Sequence, residues 1–412
     1  MIPSIADSRP LEERLARRTA RMGANAIREI LKVASQPGMV SLAGGLPAPE
    51  SFPLEIIRTL ADDVLAEQGA AALQYNATEG YGPLREALVP FLATRGVETG
   101  IDGVTVFSGS QGVLDTMAKV LISTGDVIAI ESPSYLGAIS AFNAYEPNYV
   151  SVATDEDGVV PEDLARVLDE HPVKLLYLVP TFQNPTGRTL SLARRKAVAE
   201  LLRAHDVLLL EDDPYSSLRY EGEALPPIHA FAPEHVVYTS TFSKVLAPGL
   251  RLGFSVAPTD LARWLVIAKQ GVDLHTNTYG QAIAAAYLAE GHLAAHLPHI
   301  LDLYRPRRDA LLGAMDTYAP PGWRWSRPAG GMFLWAEGPA ELDVLGLYER
   351  CVAGGIAFVP GQFFFANGGG ETTMRLNFTS AEAPVLERAV AEIMGTAAAM
   401  SDGVSAAVPV PA

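Results

Sequence analysis

From about residue 104 to 256, short apolar runs alternate with amphipathic stretches, and this alternation limits the folds open to the chain more than any other feature. The runs are Val104–Ser108, Val127–Glu131, Lys174–Val179, Val207–Glu211, Val236–Thr239 and Leu252–Val256. None alternates strictly between apolar and polar residues, which is the pattern of strands covered on both faces. Strand–helix alternation predicts a mostly parallel sheet in an α/β domain. A helix is expected between several of the runs, as over Ser191–His205.

Past about Leu301 the pattern changes. A helical stretch, Leu301–Tyr318, ends at Ala319-Pro320-Pro321-Gly322. A strand at Gly331–Trp335, a helix near Asp343–Ala353, a turn at Val359-Pro360-Gly361 and a strand at Met374–Phe378 follow. This reads as a smaller α+β domain. The expected organisation is an arm (1–20), an N-terminal part of the small domain with a substrate loop (21–50), a large domain (51–300), the rest of the small domain (301–400) and a disordered tail (401–412). A chain of 412 residues suits two domains.

In open α/β sheets, ligands lie beyond the carboxyl ends of the strands, where the unusual clusters of this chain fall. Ser108-Gly109-Ser110-Gln111-Gly112 precedes a helical stretch. Small residues there let backbone amides approach an anion at the positive end of the helix, although an ordinary strand-to-helix turn reads the same way. Pro133-Ser134-Tyr135 offers an aromatic face to a planar ligand, or merely packs. Asn184-Pro185-Thr186-Gly187 is a proline-stiffened loop that presents one amide, or a plain turn. Glu211-Asp212-Asp213-Pro214-Tyr215 puts three acids at the end of an apolar strand, and at least one should meet a cation. Thr241-Phe242-Ser243-Lys244 sets a lysine in a hydroxyl-rich turn ahead of Pro248-Gly249-Leu250-Arg251. Partial desolvation there would make it a nucleophile.

The composition sets the broad class. Hydrophobic residues make up 49% and charged residues 19%, as in a globular enzyme. The net charge of −16 argues against nucleic acid. The cluster Arg14, Arg17, Arg18 and Arg21 reads as one charged face of a helix. The single cysteine, Cys351, excludes an intrachain disulfide and fits a reducing compartment. With no signal-like apolar stretch at the start and no run of about 18 apolar residues, a cytoplasmic protein without a membrane span is expected.

Together, and in this order, the clusters resemble fold-type I, class I/II aminotransferases: a small-residue phosphate turn, an aromatic, NPTG, DxxY, SK, PGLR and a late MRLNF. The likeness runs from about Ala24 to about Met394. Within that family the segments Ile27–Lys32, Ser41–Pro47, Leu73–Asn76 and Glu211–Tyr215 are most similar to the 2-aminoadipate and aromatic branch. Thr241 departs slightly, since relatives often carry serine there.

The resemblance implies pyridoxal 5'-phosphate as cofactor, held as a Schiff base on Lys244, and ping-pong transfer of an amino group from an L-amino acid to a 2-oxo acid. Asp212 would face the pyridine nitrogen. Tyr215 and Asn184 would donate to the ring's 3-oxygen, and Tyr135 would stack on the ring. Ser110, Gln111, Thr241, Ser243 and Arg251 would hold the phosphate. Arg375, with Asn184 and Gly45, would take the substrate carboxylate, and Arg28 an acidic substrate side chain. Tyr75 would reach the phosphate of a neighbouring subunit, so a homodimer or higher oligomer is expected. No metal is expected. A β-lyase, decarboxylase or racemase would share the same chemistry. A transcription regulator built on this fold is disfavoured, because only about twenty residues precede the matching region.

Overall fold

A computed structural model of the chain describes residues 11–22, 32–33 and 36–405. Arg28 and the end of the tail, 406–412, lie outside them.

The seven-stranded sheet runs in the order Val104–Phe107, Gly253–Val256, Val236–Thr241, Leu208–Asp212, Val173–Leu178, Val127–Glu131, Asn148–Val152. All neighbours pair in parallel except Gly253–Val256, which is antiparallel to both of its partners. The central strands are almost wholly buried: all six residues of Val236–Thr241 and four of five in Leu208–Asp212. Their unbroken apolar character is therefore the mark of two-sided covering. The edge strand Asn148–Val152 is mostly half-exposed and partly polar, so it carries no such mark.

A second, antiparallel sheet is ordered Arg324–Trp325, Phe333–Glu337, Thr373–Asn377, Val359–Pro360. The helices His292–Tyr318 and Ala383–Ser405 pack against each other beside it. Two N-terminal residues, Val40–Ser41, pair in parallel with Ile356–Ala357. That pairing brings the Leu42–Pro47 stretch to the mouth of the larger sheet.

The long helix starts at His292 rather than Leu301, after Gly291 in the left-handed region (φ 78°). It contains Pro298 and Pro306, two residues that ordinarily signal a break. The last helix continues through Ser405, past Ser401 where the tail was expected to begin. Of the arginine cluster, Arg17 pairs with Glu146 and Arg21 donates to the Pro147 carbonyl, tying the arm to the sheet's edge. Among the described residues no helix is long and apolar enough to cross a membrane.

Candidate active site

Strand alternation distributes the three acids. Successive side chains of a strand point to opposite faces, so Asp212 is turned away from Glu211 and Asp213. Glu211 accepts from the amides of Ile228 and His229 at 2.8 Å each. Asp213 accepts from the Tyr238 hydroxyl at 2.7 Å, and Arg95 lies 3.8 Å away. Asp212 alone enters the cavity at the sheet's carboxyl end.

That cavity, about 160 Å³, is lined by Ser110, Gln111, Tyr135, Asn184, Asp212, Tyr215, Thr241, Ser243, Lys244 and Arg251, together with Val179, Pro214 and Pro248. Residues singled out in separate loops thus converge on one space. Arg375 and Gly45 border it through hydrogen bonds to Asn184 and Lys244. Tyr75 does not enter it: the residue is 76% exposed and its ring stands edge-on to His275 at 5.6 Å.

Each wall has a local cause. Gly109 sits at φ 83° before the helix Ser110–Leu121, and a Cβ there would fall 2.5 Å from an Arg251 nitrogen. Only glycine lets the guanidinium come down over this helix N-terminus. Arg251 is itself left-handed (φ 52°), a conformation that costs a non-glycine residue about 1–3 kcal/mol and that clusters at functional sites. Thr241 accepts from the Ser243 amide at 3.1 Å and caps the short turn that delivers Lys244.

The charged groups are held tightly. The Lys244 amine donates to the Gly45 carbonyl at 2.8 Å. Burial, then the nearby Arg375 and Arg251, lower its pKa to about 8. Asp212 accepts from the Tyr177 hydroxyl through Oδ2 at 2.8 Å. Its Oδ1 is buried and finds no partner among the described residues, and burial raises its pKa to about 7. Asn184 donates to the Tyr215 hydroxyl at 3.4 Å and accepts from Arg375 at 2.8 Å. Arg375 also donates to the Ala43 carbonyl at 2.6 Å and is sandwiched by Phe333 and Phe364, whose ring centres lie 4.2 and 4.9 Å from its guanidinium carbon. Its Nε is buried with no partner among the described residues.

A buried, unanswered carboxylate oxygen opposes desolvation and calls for a cation or donor. Across the cavity stand a helix N-terminus, hydroxyls and a guanidinium, a donor set for a phosphate. A ligand with an anionic group at one end and a protonated ring nitrogen at the other satisfies both, and the Lys244 amine suits a covalent link to its carbonyl. The chain matches the family described as Aminotransferase class I and II over residues 39–393.

The chain belongs to the class I and II aminotransferases. An aromatic-amino-acid aminotransferase of Thermococcus litoralis is 46% identical over 87% of this chain and 88% of its own. A 2-aminoadipate transaminase of Thermus thermophilus is 42% identical over 89% and 92%. The crystal structure of an alpha-aminoadipate aminotransferase from Thermus thermophilus, complexed with N-(5'-phosphopyridoxyl)-L-leucine, has a TM-score of 0.89 at 38% identity, covering 97% of this chain and 100% of that one. The aminotransferase has the aspartate-aminotransferase-like fold type I, and its cofactor is pyridoxal 5'-phosphate. The donor set described above fits that cofactor.

Three contributors escaped the sequence reading. Tyr177 lies inside an apolar run, where nothing local marks a hydroxyl aimed at the next strand. Phe333 and Phe364, the two faces of the Arg375 sandwich, come from segments that look like ordinary core. Arg28 falls outside the described residues, and nothing about the site bears on it.

Proposed function

We propose that this aminotransferase moves amino groups from a broad set of L-amino acids (2-aminoadipate, glutamate, leucine and aromatic residues) to a 2-oxo acid, and that the residues of the 160 Å³ cavity do so in the following roles. The observation that carries the assignment is that one cavity holds both a lysine amine of lowered proton affinity and a buried carboxylate whose Oδ1 has no partner among the described residues. When bound, pyridoxal phosphate supplies an electron sink for the charge that develops at the substrate α-carbon.

Lys244 is the residue that would hold the cofactor, and its amine would take the proton from the substrate α-carbon. A pKa near 8 keeps a usable fraction of the amine neutral at physiological pH. Asp212 would hold a proton on the ring nitrogen, and Tyr177 fixes its carboxylate through Oδ2. Tyr215 and Asn184 would donate to the ring's 3-oxygen, and Tyr135 would cover the ring. Ser110, Gln111, Thr241, Ser243 and Arg251 would hold the phosphate. Arg375 clamps the substrate carboxylate beside Asn184 and Gly45, orienting the α-hydrogen toward Lys244.

The breadth of substrates draws on the relatives, whose names include aromatic-amino-acid and 2-aminoadipate enzymes. Arg28 is proposed to pair with acidic side chains and to leave the pocket for apolar ones. The proposed assembly is a cytoplasmic homodimer or higher oligomer in which Tyr75 completes the partner's phosphate site. The exposure of Leu54, Leu73, Tyr75, Trp264 and Val272 supports this. The proposed division is a large domain over 51–300 and a small one formed by 301–400 with 21–50, in keeping with the strand pairing of Val40–Ser41 to Ile356–Ala357.

Borohydride reduction followed by peptide mass spectrometry tests the lysine: the label is expected on Lys244, and a label elsewhere removes the assignment. A donor panel with 2-oxoglutarate and pyruvate as acceptors tests the breadth. Arg28→Ala should lower kcat/KM for 2-aminoadipate and glutamate about ten- to a hundred-fold, the worth of one charge-assisted hydrogen bond, and leave leucine nearly unchanged. An unmoved ratio of the two would discard Arg28 as the specificity residue.

A further inference from the structure

A far larger cavity, about 1010 Å³, opens behind the catalytic one. It is walled by the carboxyl half of the helix Gly82–Ala93, by residues 213–227 and by the start of the helix His292–Tyr318. Phe91, Pro226, Leu293, Leu297 and Leu301 give it an apolar wall. Its charged lining is three arginines, Arg95, Arg195 and Arg219, against one carboxylate, Asp213. In a chain of net charge −16 that local excess of positive charge is unusual.

Two of the arginines are already satisfied. Arg195 donates to the carbonyls of Leu190, Pro226 and Pro180 and to the Thr181 hydroxyl. Arg95 donates to the hydroxyls of Ser216 and Ser217, lies 3.8 Å from Asp213 and stacks on Phe91. Asp213 has the Tyr238 hydroxyl and the Ser216 amide. Arg219 differs. Among the described residues its buried Nε has no partner and no carboxylate pairs with it; its Nη1 donates to the Glu221 carbonyl at 3.3 Å. The guanidinium stacks on Phe182, 4.6 Å from the ring centre.

A concave, mostly apolar space with one guanidinium that has no carboxylate partner among the described residues has the features of a small-molecule site. We infer that this cleft is a second binding site, distinct from the catalytic cavity, for a monocarboxylate with an extended apolar body. The carboxylate is taken by the planar fork of Arg219, and the hydrocarbon lies along Phe91, Leu293 and Leu297. A dicarboxylate would leave its second charge against that apolar wall. The segment 213–219 is shared with the catalytic cavity, since Ser216 follows Tyr215. Phe182, under Arg219, stands two residues before Asn184.

The test is calorimetric titration of the holoenzyme with hexanoate, octanoate and decanoate, with excess 2-oxoglutarate present to occupy the catalytic cavity. One saturable site per chain is expected, with affinity rising about fourfold for each methylene buried. Arg219→Gln should weaken decanoate binding at least tenfold. Leu297→Trp, which fills the cleft from the half-buried face of the long helix, should abolish it. Both variants should keep the wild-type Tm and circular dichroism. Saturable binding that survives in both variants, binding that 2-oxoglutarate displaces, affinity independent of chain length, or no binding to the wild type would each overturn the inference. The last is the outcome if a second copy of the chain or its own first ten residues fills the cleft.

Discussion

The catalytic cavity and the cleft behind it share the segment after the strand Leu208–Asp212, yet they are built oppositely. One is small, polar and crossed by strained backbone; the other is several times larger and mostly apolar. Asp212 and Asp213 mark the divide. One carboxylate keeps an unsatisfied oxygen, whereas the other is fully engaged by Tyr238, Ser216 and Arg95. Under the proposed roles adjacent residues of the same type carry different duties: the unanswered polar atom of Asp212 is a cost to folding that cofactor binding would account for, and the answered Asp213 is part of the scaffold.

The sharpest way to break this contrast is Lys244→Ala. It should lower kcat by about a thousandfold or more, the scale of a lost proton-transfer group, while the protein still binds pyridoxal phosphate without the covalent link. Retained turnover would strip the small cavity of its role. Next comes the paired test of the acids. Asp212→Asn should reduce kcat by about a hundredfold, the worth of one preorganised charge, with Tm unchanged or raised, because a buried carboxylate with an unpartnered oxygen is removed. Asp213→Asn should lower Tm by a few degrees through a weakened buried hydrogen-bond set and leave kcat within about threefold. Equal losses of kcat would place the register of the strand end in error.

A smaller effect is expected from Tyr177→Phe. The Tyr177 hydroxyl lowers the proton affinity of Asp212, against the opposing effect of burial, so its loss raises that affinity. The carboxylate is lost as pH falls through its pKa, so the acid limb of cofactor affinity should move to higher pH, with about a tenfold weakening near neutrality. A limb that stays in place would make Tyr177 mere packing. Smallest of all is a pH signature of Lys244 in the apoenzyme. With its pKa near 8 instead of the usual value near 10.4, the rate of covalent cofactor capture should climb about tenfold per unit below pH 8 and then level off. A rise that continues to pH 10 would show an ordinary, solvated lysine.

The sequence was most legible where local chemistry and strand ends coincide. Ser110, Asn184, Asp212 and Lys244 each follow shortly after an apolar run, and the rule that ligands gather at the carboxyl ends of strands places them together without further help. Partnerships across strands were not legible. Tyr177 meets Asp212 only because the strands Val173–Leu178 and Leu208–Asp212 are neighbours, and register is not written in either segment alone. The first turns of the helix from His292 were hidden by Pro298, since proline reads as a stop although tertiary packing tolerates it here. The rear cleft draws its walls from residues 87–96, 213–227 and 288–301, stretches with no shared motif, so only the fold reveals it.

Lys244 donates to the carbonyl of Gly45, and Arg375 to that of Ala43. Two donors that the proposed ligands require are thus already engaged by one short piece of main chain. At these two hydrogen bonds binding is therefore a trade of acceptors, whose yield is the difference between the incoming group and the carbonyl it displaces, while the Arg375 Nε, without a partner among the described residues, has a bond to gain outright. At Arg375 a carboxylate gains from that trade, because it adds an ion pair and a bidentate geometry that a neutral carbonyl does not offer the guanidinium. An amino-acid amide or ester brings an acceptor no better than the one it evicts. The Ala43–Gly45 backbone thus acts as a built-in reference competitor, one that discriminates against neutral analogues by strength of acceptor instead of by shape.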